Sequence, residues 1–462
     1  MTADADSPAI RGRISRAARC ALALGGFTLS IALLPPAATA KLFDAEVFTL
    51  ANGLQVVVIP FHRAPIVSQI VFYKAGAADD PRGTSGIAHF LEHLMFRGTR
   101  TVAPGAFSRT VADIGGVDNA STTHDRTEFY ENVAADRLAT VMQLEADRMA
   151  NLVITDAKVS PERKVIIEER HTRIDNVPQS LFQEAFDAAL YLNLPYHRPA
   201  IGWLAEMQRL STADAVTFYR TWYAPNNAVV VISGDVTAAQ VRALAEKYYG
   251  PIPARPVPAH IVVTEPPHVV AVTLTMKSAR VPNPSWLHAY LAPSYTAGEM
   301  REAYALQVAA EVLGDGATSR LYRGLVVDRK LALDAGAFYD PTTRYLSSFG
   351  FYGTVAKGVD PAAFQDAALA IVRAAARDGL TADEVARAKA RMQAEAIYTR
   401  DSLNGLALSV GAAIANGRTL DDVEAWPDRI GAITVDQVNA ALKAVVDENQ
   451  AVTGFLLPEP AS

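Results

Sequence analysis

Residues 88–99 read A-H-F-L-E-H-L-M-F-R-G-T. Two histidines and a glutamate fall within five positions, set among Phe90, Leu91, Leu94, Met95 and Phe96. On a helix, residues four apart share a face, so the imidazoles of His89 and His93 can converge on one ion. Glu92, three residues after His89, lies at the edge of that face. The apolar residues fall where a buried helix face wants them. Two readings are open on this stretch alone: an amphipathic helix with solvated histidines, or half of a metal site.

A catalytic zinc takes three protein ligands and keeps one position for water. The third ligand has to come from elsewhere, and P-E-R-K-V-I-I-E-E-R at 161–170 offers a second helix. Glu162 and Glu169 are two turns apart and share a face. Glu169 can complete the site, and Glu162 can support it by orienting a ligand or a water. Zinc makes a water more acidic, and Glu92 is placed to take its proton for attack on an amide carbonyl. His62, His124, His171, His197, His260, His268 and His288 form no comparable cluster and read as surface or hydrogen-bonded residues. G-D-G-A-T-S at 314–319 lacks the Gly-Lys-Ser/Thr of a phosphate loop and reads as a turn.

The rest of the chain constrains that reading. Its 462 residues are too many for one core, so two or more domains are expected. A net charge of -6 carries no broad nucleic-acid footprint. Arg11, Arg13, Arg16 and Arg19 precede an apolar run at 20–35, and Ala38-Thr39-Ala40 follows as a cleavage signal. Residues 1–40 therefore read as a secretory signal peptide, which sends the protein to the periplasm or outside the cell. The alternative, a membrane anchor, needs about 20 apolar residues, more than this run has. No later segment is long and apolar enough to span. Cleavage removes Cys20, the only cysteine. Any metal must then be held by histidine and carboxylate.

Asn52-Gly53 marks a hairpin turn between two strand-like runs, and 66–74 and 226–235 read as further strands. Residues 84–97, 105–115 and 134–150 have helical periodicity, the first with Thr84 or Ser85 as N-cap and Gly86 weakening its first turn. Six prolines in 251–268 mark a linker between halves 41–250 and 269–462. The halves echo one another. T-A-D-A-V-T-F-Y from 212 leads to the strand at 227–234, and T-V-D-Q-V-N-A-A from 434 leads to the strand at 450–457. The expectation is two copies of one α+β domain.

Several stretches together resemble the pitrilysin/insulinase family of inverted-motif zinc peptidases. They are N-G-L-Q-V-V-V, G-I-A-H-F-L-E-H-L-M-F-R-G-T, G-G-V-D-N-A-S-T-T-H-D-R-T, E-R-K-V-I-I-E-E, Y-H-R-P-A-I-G and Y-A-P-N-N-A-V-V-V-I-S-G-D-V, with L-G-D-G-A-T-S-R-L-Y in the second half. The match is to the shorter branch, which includes the mitochondrial processing peptidase and its bacterial relatives. The resemblance implies two homologous domains, each a mostly antiparallel sheet packed against helices, with no metal site in the second. It implies one zinc per chain on His89, His93 and Glu169, with Glu92 as general base. Seventy-five residues separate His93 from Glu169, which fits the family spacing. Glu168 is the competing ligand, disfavoured because Glu169 keeps the two-turn relation to Glu162. The resemblance also makes Asn119-Ala120 the strand that pairs with substrate backbone.

There is one departure. Members of the family use an Arg and a Tyr, seven apart, from a second-half domain to hold substrate and the developing oxyanion. The matching positions here are Val326 and Leu333, with Arg329 nearby but out of phase. The expected protein is thus a zinc endopeptidase for short or unfolded peptides, the metal-bearing subunit of a heterodimer whose related partner supplies the Arg and Tyr. A homodimer that works without the pair is the alternative assembly. The alternative functions are a non-catalytic structural subunit and a peptide-binding protein.

Overall fold

A computed structural model describes residues 44–399 and 402–459. The signal peptide expected at 1–40 lies outside the described residues. The elements build two sheets. In the first half the strands are β1 (Glu46–Thr49), β2 (Gln55–Pro60), β3 (Ile66–Tyr73), β4 (Val117–Thr122), β5 (Thr127–Ala134) and β6 (Ala228–Gly234). In the second they are β7 (Val272–Ser278), β8 (Ser285–Ala292), β9 (Ala332–Tyr339), β10 (Ser347–Val355) and β11 (Val452–Pro458).

The first sheet runs β1-β2-β6-β3-β5-β4 and the second β7-β11-β8-β10-β9. Without β1 the two orders are the same, as expected for two copies of one α+β unit. In each, the last strand of its half inserts parallel beside the first and antiparallel to the second. All other pairs are antiparallel. The echoed helices also match. Thr212–Trp222 and Val435–Val445 both start with a capping box, Ser211 with Asp214 and Thr434 with Gln437.

The Asn52-Gly53 turn joins β1 to β2 because Gly53 takes φ 85, a left-handed value that costs glycine little. β6 is buried along its whole length, so both of its faces are covered. Helices α1 (Ile87–Met95), α2 (Leu138–Asn151) and α3 (Asp156–Arg170) belong to one face of the first sheet. Their core contains Phe90, Leu94, Val141, Met142 and Ile166 against Val67, Val71, Phe129 and Val230.

Packing crosses between the halves. Helix α4 (Pro178–Leu190), from the first half, brings Phe182, Phe186 and Leu190 to Ala289, Val452 and Leu456 of the second sheet. Helix α5 (Met300–Gly314) packs within the second half, where Leu306 and Leu313 join Phe349 and Phe351. Helix α6 (Leu403–Ala415), also from the second half, covers the other face of the first sheet. Its Leu406, Ala407, Val410 and Ile414 meet Val57, Ile70, Phe72, Val229 and Val231. The approach is close at Gly411, where a Cβ would stand 2.0 Å from the Phe72 ring.

A polar latch joins the halves as well. The Arg344 guanidinium donates to both oxygens of Asp79 at 3.0 and 3.1 Å and to the Asp125 carbonyl, while its backbone N–H donates to Asp125 Oδ2 at 3.0 Å. Both aspartate side chains are buried. Residues 253–268 contain no helix or strand, yet they are anchored. His260 bonds Asp79, and the Glu265 carboxylate accepts the N–H groups of Leu192, Asn193 and Leu194.

Candidate metal centre

α1 starts at Gly86, not at the expected Thr84 or Ser85 cap. Gly86 takes φ 86, and a Cβ there would meet the Ile201 carbonyl oxygen at 2.4 Å. Ser85 is occupied elsewhere, its hydroxyl accepting the Trp203 N–H. With no side chain at the cap, the first-turn donors go to Asp80, whose carboxylate accepts Gly86 N–H at 2.7 Å and Ala88 N–H at 3.1 Å. Burial pushes the Asp80 carboxyl up to about 8, against the pull of those two bonds. The helix is thus held from six residues upstream, and its apolar side is locked in the core. Its polar side is left facing a cleft.

α3 brings up the second part. His89, His93 and Glu169 each offer a donor atom, and these atoms lie within 4.8 Å of one another. His93 Nε2 is 3.1 Å and His89 Nε2 3.6 Å from Glu169 Oε2. Glu168, the competing residue, is exposed and outside the group. Glu162 is buried and its Oε1 takes His93 Nδ1 at 2.9 Å, with Arg97 on its other oxygen. That bond places the proton on Nδ1 and turns Nε2 toward the cluster. Arg173 binds the outer oxygen of Glu169 at 2.6 Å, leaving Oε2 for the cluster.

The electrostatics suit a cation. Burial, then the neighbouring His93, lower His89 to about 4, so its ring is neutral. Burial also pulls His93 down, but its bonds to Glu162 and Glu169 outweigh that and hold it up to about 9. The bond from His93 keeps the Glu169 carboxylate below its ordinary range. Burial opposes the same shift at Glu162, where the bonds from His93 and Arg97 prevail. Two imidazoles and a carboxylate, oriented by a further carboxylate, are the donor set of a three-ligand zinc site. The residues present fit that ion.

Glu92 is buried beside the cluster, and Thr122 on β4 donates to its Oε2 at 2.5 Å. Burial raises the Glu92 carboxyl, with the Thr122 bond opposing. The cleft has a volume of about 750 Å³. It is lined by Asn119 to Thr122, by Val165, Glu169 and Arg173, and by Pro199 to Ile201. β4 is an edge strand with Asn119 exposed, and Asn119 Oδ1 accepts the N–H of Ala120 at 2.9 Å.

Every described residue lining the cleft comes from position 201 or earlier. Val326 is half-buried against the second core, and Leu333 is exposed on the edge strand β9. Neither lines it. The seven other histidines are each hydrogen-bonded, for example His124 to the Arg198 carbonyl and His288 to Thr453. A second acidic group, Glu311, Asp315 and Glu395, has Arg391 paired to two of its members.

Sequence reasoning missed Asp80, Arg97, Thr122 and Arg173. Three had a usable signal: Arg97 continues the four-residue step of His89 and His93, and Arg173 stands four after Glu169. Thr122 was accessible through strand alternation, since it shares a face with Ala120.

The comparisons agree with this architecture. The family profile described as Insulinase (Peptidase family M16) matches residues 55–202, and that described as Peptidase M16 inactive domain matches 209–392. A Helicobacter pylori protein named zinc protease PqqE is 30% identical over 369 residues, covering 78% of this chain and 81% of its own. A Schizosaccharomyces pombe protein named probable mitochondrial-processing peptidase subunit beta is 25% identical, covering 90% and 92%. Among solved structures, a protease from Helicobacter pylori superposes with a TM-score of 0.83 at 28% identity, covering 90% of this chain and all of its own. The periplasmic protease PqqL of Escherichia coli shares the fold, with a TM-score of 0.77 at 19% identity, and this chain covers 48% of it. Among the described residues no helix is long and apolar enough to cross a membrane. With both halves matched and relatives named as zinc proteases aligned along most of their length, this chain belongs to the insulinase family of peptidases, M16.

Proposed function

We propose that the chain is a zinc-dependent endopeptidase for short or unfolded peptides, exported to the periplasm or beyond. The convergence of His89, His93 and Glu169 beside Glu92 carries this reading. These three residues would hold the zinc, with Glu162 orienting His93. The ion, when bound, makes a water more acidic and polarises a carbonyl oxygen. Glu92 is the group that takes and returns the proton. Its burial makes the carboxylate a stronger base, and the Thr122 bond fixes one oxygen so that the other is free to act. β4 would take the substrate as an added strand, which requires the Asn119–Ala120 bond to open so that the Ala120 N–H meets peptide instead. An extended backbone is needed for that pairing, which favours unfolded substrates.

The Arg and Tyr expected of the family have no counterpart at Val326 and Leu333, and no second-half residue among those described lines the cleft. This supports a heterodimer in which a related chain closes over the site and supplies them. In a homodimer both copies would lack the pair. A name given to one relative, a processing-peptidase subunit, is consistent with paired chains. A non-catalytic subunit would be expected to lose motif residues, and here all four are in place.

The test is Glu92→Gln, measured for zinc by elemental analysis and for cleavage of unfolded peptides with and without the partner chain. Zinc retained and cleavage abolished is the expected pair of results. Cleavage at the wild-type rate by the variant would sink the assignment, and full activity of the isolated wild-type chain would sink the heterodimer.

A further inference from the structure

Every carboxylate lining the cleft is already engaged. Glu162 is taken by His93 and Arg97, Glu169 by His93 and Arg173, and Glu92 by Thr122. The cation Arg173 is different. It stands in the turn of π-helix His171–Asp175 that continues α3, which returns it to the face of Glu169. One guanidinium nitrogen, Nη1, meets Glu169 Oε1. The side chain is otherwise 72% exposed, and it lines the cleft with no other partner among the described residues. A guanidinium has five donors and can serve carboxylates on two edges at once. Arg173 can therefore keep its hold on Glu169 and still present a free edge to whatever occupies the cleft.

We propose that Arg173 is a specificity-determining residue that selects peptides carrying an acidic side chain close to the bond being cleaved. This rests on the peptidase reading and adds to it the charge class of the substrate. A peptide paired with β4 sends alternate side chains off its strand, and the cleft that β4 lines is also lined by Val165, Arg173 and Ile174. Aspartate or glutamate arriving there meets the unused guanidinium edge in a charge-assisted pair, possible without breaking the Glu169 bond. Lysine or arginine arriving there meets a like charge. Partly exposed ion pairs are worth up to about 1 kcal/mol, which is roughly a fivefold preference in binding.

The experiment uses the full-length zinc-loaded chain carrying Glu92→Gln and three labelled peptides of one sequence, with Glu, Gln or Lys at a single varied position, scanned along the peptide. Binding is read by fluorescence anisotropy, so it does not depend on turnover. At one position the Glu peptide should bind about fivefold more tightly than the Gln peptide, and the Lys peptide more weakly. Adding Arg173→Gln should erase the difference, and Arg173→Glu should invert it while Arg173→Lys restores part of it. Equal binding of the three peptides at every position overturns the proposal, as does a preference that survives Arg173→Gln, as does no binding at all. Cleavage of the same set by the chain with native Glu92, supplied with its partner chain, separates the two readings. Hydrolysis without charge preference leaves the peptidase standing and removes this inference, whereas charge-selective binding without hydrolysis does the reverse.

Discussion

Removing the carboxylate behind His93 gives a graded measure of how the proposed metal ligands are held. Glu162 is buried, with a side chain 3% exposed, and accepts from His93 Nδ1 at 2.9 Å. Glu162→Gln keeps the shape and a neutral acceptor but loses the charge. A charge-assisted bond is about twice as strong as a neutral one, so the loss is about 1 kcal/mol and zinc should bind some fivefold more weakly. Glu162→Ala removes the acceptor and frees the ring to turn. Partners of this kind are worth about 10- to 100-fold in metal affinity, so roughly 1.4–2.7 kcal/mol is expected. Arg97 is left unpaired in both, but it is 43% exposed and can be solvated. The assay is competition for zinc between the full chain and a chromophoric chelator, with circular dichroism to show that the fold is retained. Affinities should fall in the order wild type, Gln, Ala. A folded Ala variant that binds zinc within twofold of wild type would refute the argument that Glu162 orients His93.

Three further outcomes are expected. Arg344→Met leaves Asp79 and Asp125 buried without their cation and should cost about 3–5 kcal/mol in urea unfolding, and an unchanged midpoint would show that the latch bears no load. Gly411→Ala forces a methyl onto the buried Phe72 ring and should destabilise by about 1–3 kcal/mol, whereas a neutral result would mean that α6 can shift away from the sheet. His288 is lowered to about 4 by burial, so between pH 6.5 and 4 the unfolded chain takes up a proton that the folded one does not, and stability falls. Relative to His288→Gln, the wild type should lose up to about 3 kcal/mol over that window, and parallel stability profiles would contradict it.

What could be read from the sequence was what repeats locally. The four-residue step of His89 and His93, the two-turn step of Glu162 and Glu169, and the Asn52-Gly53 hairpin each follow from one element's own geometry. So does the duplication, because each half carries its own capped helix before its closing strand. The misses are tertiary. Gly86 became the cap of α1 because the 201–202 backbone leaves no room for a side chain there, and Asp80 then had to supply the missing acceptor. No periodicity announces either fact. The polar composition of 251–268 was plain, but the burial of Glu265 in a cluster of backbone N–H groups depends on residues some seventy positions earlier. The cover that α6 provides over Phe72 and Val231 joins residues hundreds of positions apart, and helix amphipathicity alone does not say which sheet a helix will choose.

That exchange of helices has a consequence for dissection. All the proposed zinc ligands lie before residue 170, so the first half looks like a minimal metal protein. Yet a fragment ending at 250 would bare the apolar face of β3 and β6 to water, and it would present α4 with no sheet beneath it. The complementary fragment would carry α6 as an unmatched apolar helix. Each piece holds the plug for the other's opening. Nicked within 253–268, the chain should therefore stay together as a tight two-piece complex, and the pieces made separately should find one another rather than fold alone.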